Sequence, residues 1–198
     1  MYCCFNMLPF TLFNTMKFYL SLIALTLFST SKAKHPHDSN LSVEGDTLLF
    51  RIEIPAGTKQ KWEFNFETGE MEKDYKDGKE RIIQFLPYPG NYGFIPETLA
   101  GDGDPIDVID LDEAAPRGEC RQVRILGSMD FLDGGDEDLK VIGIDPEGIF
   151  GEVQSIDQLA LKKPAVLEIL KTWFCNYKKS GKMVFRRFID REETEAIL

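Results

Sequence analysis

The sequence predicts one mainly β domain of the α+β class, in which antiparallel strands are flanked by helices. Two stretches, 48–54 and 62–66, alternate apolar and polar side chains, which is the period of strands with one buried face. A third stretch, 164–179, repeats apolar side chains at helical spacing. The chain has 198 residues, of which 43% are hydrophobic and 12% aromatic, and this composition suits a single domain with a substantial core.

The segment before residue 47 has the character of a leader followed by a linker. From Met16 a basic residue, an apolar run over 18–28 and then small residues follow in the order of a secretory signal, so residues 1–33 are interpreted as a signal peptide. The apolar run is too short for a permanent membrane helix, and an uncleaved anchor is the alternative. Residues 34–46 are polar and are interpreted as a linker, which leaves 47–198 as the folded domain of an exported protein.

Charge, histidine and cysteine content exclude several classes of function. The formal net charge is −10, and it becomes −12 when residues 1–33 are removed with their two lysines and no acids. Nonspecific nucleic-acid binding needs a basic surface, so no nucleic-acid partner is predicted. His35 and His37 both lie in the linker, so neither a zinc centre nor a histidine-based triad is expected. Cys120 and Cys175 are far apart in sequence, and two buried free thiols are favoured over a disulfide.

The elements of the domain follow in order from local patterns. Pro55 ends the first strand, Thr68-Gly69 turns the chain after the second, and Asp77-Gly78 marks another turn. Further strands are predicted at 108–111, 123–126, 140–144 and 183–188. Ser155 begins a short helix, and a longer helix begins at Pro164, extends to about Lys179 and ends before Gly181. The remaining residues are interpreted as a short acidic tail.

The most informative stretch is Asp102-Gly103-Asp104-Pro105-Ile106-Asp107. Gly103 permits backbone angles that other residues resist, and Pro105 fixes its own φ and extends Asp104, so a stiff acidic turn before a strand is predicted. Carboxylates held close together repel one another, and hard cations such as Mg²⁺ relieve that repulsion by accepting oxygen ligands. A solvated acidic loop is the simpler alternative. A calcium-binding loop is excluded, because Ile106 falls at a ligand position and Asp107 at the glycine position.

A second acidic, glycine-rich stretch, residues 133–138, is interpreted as a loop, and Lys140 follows it. Both acidic stretches could be solubilising turns. They could instead converge on one pocket, in which a metal ion and phosphate make the acids and the bases compatible.

Several other polar residues have an ordinary structural explanation at this point. Three charged residues are expected on the solvent side of the first strands: Glu53, Lys61 and Glu63. Tyr88 and Tyr92 lie in a proline- and glycine-rich loop and are typical packing aromatics. Tyr177 and Lys178 fall in the last turn of the long helix, where a lysine complements the helix dipole.

Taken together, these motifs resemble the soluble inorganic pyrophosphatases of family I over roughly residues 50–180. Residues 102–107 match the family signature D-G-D-P-x-D, and residues 88–93 resemble the Y-P-x-N-Y-G loop that precedes it. Further segments resemble family motifs in the right order: Ile52-Glu53-Ile54-Pro55, Lys61-Trp62-Glu63, Asp133 and Asp138 with Lys140, and Tyr177-Lys178. Arg81 is the candidate for the arginine that the family carries before the tyrosine loop.

The resemblance implies a small OB-like barrel of antiparallel strands with flanking helices and a site at the barrel mouth. It implies Mg²⁺-dependent hydrolysis of inorganic diphosphate to two phosphates, with Mn²⁺ as a substitute ion. Divalent ions neutralise the anionic substrate and lower the pKa of bound water. The implied metal ligands are Asp102, Asp107, Asp133 and Asp138, and Asp104 is the implied base.

The remaining site residues are also carried over from the resemblance. Phosphate contact is implied for Lys61, Arg81, Lys140, Lys178, Tyr92 and Tyr177. Glu53 and Glu63 would act through metal-bound water or from farther away, and Tyr88 would either touch phosphate or support the site. Family members assemble as dimers or hexamers and are mostly intracellular, so a homo-oligomer is expected and the cytoplasm is the alternative location.

Two other functions are kept as alternatives. One is a divalent-metal phosphohydrolase that acts on nucleotides or polyphosphate, which would need an aromatic surface for a base; the sequence marks out none. The other is a non-catalytic OB-like module that binds cations. After removal of the leader, no stable membrane span is expected.

Overall fold

The computed structural model describes residues 47–101, 103–178 and 181–198. The predicted signal peptide and linker, and Asp102 of the acidic turn, lie outside the described residues. The strands are β1 (Thr47–Ile54), β2 (Trp62–Asn65), β3 (Glu70–Lys73), β4 (Tyr75–Lys76), β5 (Lys79–Glu80), β6 (Asn91–Phe94), β7 (Asp107–Asp110), β8 (Cys120–Asp133), β9 (Asp136–Ile144) and β10 (Met183–Ile189). The helices are α1 (Ile156–Lys162), α2 (Pro164–Asn176) and α3 (Arg191–Ile197).

The central sheet closes on itself into a barrel. Its strand order is β1-β6-β7-β9-β8-β10, and β1 also pairs with β8, so that the strands from β1 to β8 in this order form a ring. Among the described pairs of this sheet, all are antiparallel except β7 with β9, which is parallel. The predicted OB-like barrel with flanking helices is therefore confirmed. The alternation of β1 is confirmed as well, because Phe50, Ile52 and Ile54 are all buried in the core.

Two small hairpins lie outside the barrel. The strand predicted over 62–66 pairs with β3 around the turn at Thr68-Gly69, and its aromatic face is only partly covered, with Phe66 62% exposed. The second hairpin, β4–β5, turns at Asp77 and Gly78, both of which have positive φ. The hairpin begins after Asp74 and ends before Arg81. These two residues are joined at its base, where the Arg81 N–H donates to the Asp74 carbonyl (2.8 Å).

The second acidic stretch is a hairpin and not the loop that the sequence predicted. β8 extends to Asp133, β9 begins at Asp136, and only Gly134 and Gly135 lie between them, with φ of 67° and 111°. A glycine pair supplies the positive φ values that a two-residue hairpin turn needs. Since side chains alternate along a strand, Asp138 and Lys140 then lie on the same face of β9.

The helices begin where the sequence predicts, but their ends differ. The Ser155 side chain caps α1 by accepting from the Gln158 N–H (3.3 Å). α2 ends at Asn176, so Tyr177 and Lys178 follow the helix and do not lie in its last turn. The predicted acidic tail is helix α3, which Asp190 caps by accepting from the Glu193 N–H (2.8 Å). An acid with a glutamate three residues later is a helix-start pattern that the interpretation as a tail overlooked.

The helix α2 packs against the barrel next to the loop that carries Tyr88. Trp173 and Phe174 are buried against the barrel, and the Trp173 Nε1–H donates to the Leu86 carbonyl (3.0 Å) just before Tyr88. Cys120 and Cys175 are free thiols, as predicted, but the prediction that both are buried is wrong, because both are partly exposed. In the described part of the chain, no helix combines the length and apolar character needed to cross a membrane.

Candidate active site

A cavity of about 840 Å³ opens at one end of the barrel, and it gathers residues from distant parts of the chain. The predicted site residues on its wall are Glu53, Lys61, Glu63, Arg81, Tyr92, Asp104, Asp107, Asp133, Asp138, Lys140, Tyr177 and Lys178. Both acidic stretches therefore border the same space, which favours convergence over two unrelated solvated turns. Tyr88 is the described member of the predicted set that does not line the cavity.

Tyr88 lies beneath the cavity. Its ring centroid is 5.2 Å from that of Tyr92 and 4.5 Å from that of Trp173, and the side chain is buried. Burial raises the pKa of the Tyr88 phenol well above its ordinary value. This position favours support of Tyr92 over direct contact with a ligand.

Lys140 is buried between two of the predicted metal ligands. Asp107 and Lys140 are register partners across β7 and β9, and the Lys140 amine donates to the carboxylates of both Asp107 and Asp138. Burial by itself lowers the pKa of Lys140, but the two carboxylates outweigh it, and the pKa lies above its ordinary value. The pKa of Asp138 is raised by burial, which the charge of Lys140 only partly offsets. A lysine with only 3% exposure thus keeps its charge through two acids.

Asp133, at the end of β8, contacts two lysines of the segment after α2. Its Oδ2 accepts a hydrogen bond from Lys178, while its Oδ1 is buried without a hydrogen bond and lies 3.5 Å from the Lys182 amine. Burial opposes the charge of Asp133, yet the lysines hold its pKa below the ordinary value. The Gly134 N–H donates to the Lys182 carbonyl (2.8 Å) and brings this segment to the hairpin. The sequence analysis did not single out Lys182.

Asp74 is a site residue that the sequence analysis missed entirely. Its Oδ2 accepts from the Arg81 guanidinium (2.5 Å) and lies 3.5 Å from the Lys61 amine, and the side chain is buried. Glu63 also faces both cations, at 3.3 Å from Lys61 and 4.0 Å from Arg81. No sequence feature distinguishes Asp74 from the other acids of its highly charged stretch. Its contact with Arg81 depends on the β4–β5 hairpin, which brings the two residues together.

Glu53 is buried in the cavity wall, although the sequence placed it on the solvent side of its strand. It is 9% exposed, and its Oε1 accepts from the Phe64 N–H (2.7 Å). Burial raises the pKa of Glu53 to about 8, against the lowering effect of that hydrogen bond. Arg117 stabilises the backbone at Glu53, because its Nε–H donates to the Glu53 carbonyl (3.0 Å). Its guanidinium also stacks on Trp62, 3.9 Å from the ring centre.

Two phenols complete the wall next to Lys140. Burial raises the pKa of Tyr92 well above its ordinary value and that of Tyr177 to about 12. Tyr177 is stacked on Trp173, with ring centroids 4.6 Å apart, which fixes its position just after α2. Both phenols are therefore neutral at physiological pH and can donate hydrogen bonds to an anionic ligand.

The donors on this wall fit a hard divalent cation. They are carboxylates, without histidine or thiol among them, and such oxygen ligands suit Mg²⁺ or Mn²⁺. Asp133 Oδ1 is a buried carboxylate oxygen without a hydrogen bond, as a cation ligand would be. Among the described residues, no three acidic, histidine or cysteine side chains are already gathered as a metal-binding group. Lysine amines contact Asp107, Asp133 and Asp138 instead.

A closed OB-like barrel whose mouth combines carboxylates, lysines, an arginine and neutral phenols defines the class of proteins that act on phosphate anions with metal ions. A sequence model described as inorganic pyrophosphatase matches residues 50–198. The chain belongs to the inorganic pyrophosphatase family.

Individual relatives agree with this assignment. Soluble inorganic pyrophosphatase 3 of Arabidopsis thaliana is 37% identical over 166 residues, which cover 80% of this chain and 71% of the relative. The N-terminally truncated vacuolar soluble pyrophosphatase of Trypanosoma cruzi, in complex with PPi, has a TM-score of 0.73 and 25% identity, covering 80% of this chain and 68% of that one. The inorganic pyrophosphatase of Thermus thermophilus has a TM-score of 0.69 and 29% identity, covering 78% and 88%.

Proposed function

We infer that the protein is an inorganic diphosphatase that hydrolyses diphosphate to two phosphates with the help of divalent metal ions. The observation that carries this inference is the meeting of two separate acidic segments with lysines and an arginine around one cavity. A small, multiply anionic substrate needs such a combination, because acids alone would repel it and bases alone would not hold a metal ion. Membership of the inorganic pyrophosphatase family supports the same activity.

We propose that Asp107, Asp133 and Asp138 hold Mg²⁺, with Mn²⁺ as a substitute. Asp102 joins this set on the basis of its place in the D-G-D-P-x-D turn. When bound, the metal ions supply neutralisation of substrate charge and a lowered pKa for water at the site.

The cationic residues and the phenols would bind and orient the diphosphate. Asp74 holds the Arg81 guanidinium and lies near the Lys61 amine, so both cations are positioned before the substrate arrives. Tyr92 and Tyr177 would donate hydrogen bonds from neutral phenols to the phosphate oxygens. These contacts would also stabilise the charge that develops on the leaving phosphate.

Asp104 is proposed as the base that accepts the proton of the attacking water. It lies on the cavity wall, between Gly103, whose φ is 93°, and Pro105. The Asp104 carbonyl accepts from the Ala100 N–H (2.7 Å), which holds the turn that presents this residue.

Replacement of the base tests the assignment. We expect Asp104→Asn to reduce turnover of diphosphate by on the order of 10²-fold or more, because general-base catalysis contributes about that much. The same exchange at the exposed hairpin tip, Asp77→Asn, is the matched control and should leave turnover within about twofold. Circular dichroism and melting curves should match for both variants; unchanged turnover in Asp104→Asn would refute the role of the base.

A nucleotide substrate is the second candidate, and one observation favours it. Phe64, Phe66 and Phe94 line the same cavity with ring centroids 5.0–5.8 Å apart, and the exposed Phe66 ring could stack with a base. Phosphate release from diphosphate, ATP and a phosphomonoester should be compared under the same Mg²⁺ conditions. Activity on ATP equal to or greater than that on diphosphate would favour this candidate, and Phe66→Ala should then lower it.

We also propose that the protein is exported and forms a homo-oligomer. The leader-like segment supports export, and a role in recovering phosphate from external diphosphate would follow from it. Cell fractionation with N-terminal sequencing of the mature protein tests this, and an intact Met1 or Met16 in the cytosol would contradict it. Light scattering coupled to size-exclusion chromatography tests the oligomer.

A further inference from the structure

A second cavity, of about 440 Å³, adjoins the proposed diphosphate site. Four residues line both cavities: Lys76, Arg81, Tyr177 and Lys178. The two spaces therefore share a wall of three cationic side chains and one neutral phenol. Lys79 lines the second cavity and does not line the first.

The β4–β5 hairpin supplies the lysines of this wall. Lys76 and Lys79 are register partners in the hairpin, so their side chains are direct cross-strand neighbours. Like charges in this arrangement destabilise a strand pair, and an anion bound between or beside them relieves the repulsion. The hairpin is held at its base by the contact between Asp74 and Arg81, which places the lysines next to the diphosphate site.

The charge of these two lysines is not balanced within the second cavity. Arg81 and Lys178 contact Asp74 and Asp133, respectively. Glu80 is the acid of this wall, and its carboxylate is engaged by Lys73 at 3.0 Å. In the described part of the chain, neither Lys76 nor Lys79 forms an ion pair with a carboxylate. A protein of net charge −10 thus presents an uncompensated cationic pair beside its proposed diphosphate site.

We propose that the second cavity is an outer phosphate subsite that binds the terminal phosphoryl group of a linear tripolyphosphate whose other phosphates occupy the first cavity. This proposal rests on the proposed function of the first cavity. Hydrolysis would join a water oxygen to phosphorus, break one phosphoanhydride P–O bond, and leave the electron pair on the bridging oxygen. The products are diphosphate, phosphate and a proton.

Lys79 gives the cleanest test, because it lines only the second cavity. We expect Lys79→Met to weaken the binding of tripolyphosphate about fivefold, because one charged hydrogen bond is lost. Lys79→Glu should weaken it about tenfold or more, because the positive charge is replaced by a negative one. The KM for diphosphate should stay within about twofold in both variants. Lys162→Met is the matched control, because Lys162 lies on α1, lines neither cavity and pairs with Glu152 at 3.3 Å.

The measurement is the KM of tripolyphosphate, or its inhibition constant against diphosphate hydrolysis if it is not cleaved. Turnover of diphosphate reports on the proposed function. The ratio of tripolyphosphate affinities between the unmodified chain and a Lys79 variant reports on the subsite, so the two proposals can fail separately. If the unmodified chain does not hydrolyse diphosphate, calorimetric binding of tripolyphosphate to the unmodified chain and to Lys79→Glu gives the same ratio.

Two outcomes would overturn the subsite. One is an unchanged affinity for tripolyphosphate in Lys79→Glu. The other is weaker inhibition by inorganic phosphate in that variant without any change for tripolyphosphate, which would assign the cavity to a separate phosphate ion and not to an extended chain.

Discussion

Asp107 on β7 and Lys140 on β9 are direct partners across the parallel strand pair, and the Lys140 amine also reaches the carboxylate of Asp138 on its own strand. One buried cation thus joins two proposed metal ligands that are far apart in sequence. Removing one member of a buried ionic group leaves the others uncompensated, which is costly, whereas a divalent cation can take over the neutralisation. Stability and metal binding should therefore be coupled at this residue.

Replacement of Lys140 tests that coupling. We expect Lys140→Met to lower the melting temperature of the metal-free protein and to gain more stability from Mg²⁺ than the unmodified chain does. Thermal melts with EDTA and with Mg²⁺ measure both, and Lys162→Met serves as the surface control. Equal Mg²⁺-induced shifts in all three proteins would contradict the proposed metal position. Turnover of diphosphate by Lys140→Met should also fall, by about 10²-fold or more.

Asp74 should act on substrate binding, because it contacts Arg81 and lies near Lys61 without lining the cavity. We expect Asp74→Asn to raise the KM for diphosphate about tenfold and to change kcat much less, since both cations lose their charged anchor. Steady-state kinetics at several Mg²⁺ concentrations measure the split. Glu72→Gln, an exposed change on the neighbouring strand β3, is the control, and a variant of Asp74 with normal KM and reduced kcat would argue against a positioning role.

Glu53 should couple proton release to metal binding. Its pKa of about 8, raised by burial, means that the metal-free protein holds this carboxyl roughly ten to one in the protonated form at pH 7. Cations in the cavity favour the charged form, so we expect release of about one proton when Mg²⁺ binds at pH 7. Titration calorimetry in two buffers of different ionisation enthalpy measures this release. Glu53→Gln should release about one proton fewer, and identical release by both proteins would count against the shift.

Asp110 is a buried acid outside the cavity, at the centre of a polar network. It is fully buried on β7, and its Oδ2 accepts from the Asn91 amide (2.9 Å) and lies 3.8 Å from Arg121. Asn91 joins further segments, because its Oδ1 accepts from the Ala56 and Ala115 N–H groups. Asp110 Oδ1 has no hydrogen bond. Burial raises the pKa of Asp110 to about 6, against the lowering effect of Asn91.

The raised pKa predicts a loss of stability with rising pH. The folded state binds the proton of Asp110 more tightly than the unfolded state, whose pKa is the ordinary 3.8, so the contribution of this group is greatest below pH 3.8 and is lost as the pH rises through about 6. The ionised form costs on the order of 3 kcal/mol at neutral pH. We expect Asp110→Asn to stabilise the protein at pH 8 and to have much less effect near pH 4.

Urea unfolding with EDTA at both pH values measures that difference. The exposed change Glu67→Gln is the control and should shift the free energy of unfolding by no more than about 0.5 kcal/mol at either pH. A variant of Asp110 that is less stable at pH 8 than the unmodified chain would show that the charge is a net stabilising one.

Much of the fold followed from local patterns, and the departures have identifiable causes. The alternation of apolar residues predicted strand β1, and the apolar stripe at helical spacing predicted helix α2, because burial on one face imposes a period of two residues on a strand and of 3.6 on a helix. The loop predicted over 133–138 is a hairpin. Its polar composition suggested an irregular loop, but the glycine pair allows a tight two-residue turn between two strands. The aromatic alternation of β2 indicated a core strand, yet Phe66 is exposed because β2 pairs with β3 outside the barrel. Composition does not specify which strand becomes the partner.

The sequence by itself determined the mainly β class and the family, and it predicted most of the charged residues of one site but not Asp74 or Lys182. Side-chain periodicity and short ordered motifs are local properties, which is why the sequence reveals them. Only the tertiary structure decided that Lys140 lies between Asp107 and Asp138, that Asp74 holds Arg81 near Lys61, and that the β4–β5 hairpin places two neighbouring lysines beside the cavity. The physical reason is that the energy of a charge depends on the distance to its partners and on burial. Both are set by strand register and hairpin placement between segments that are remote in the chain.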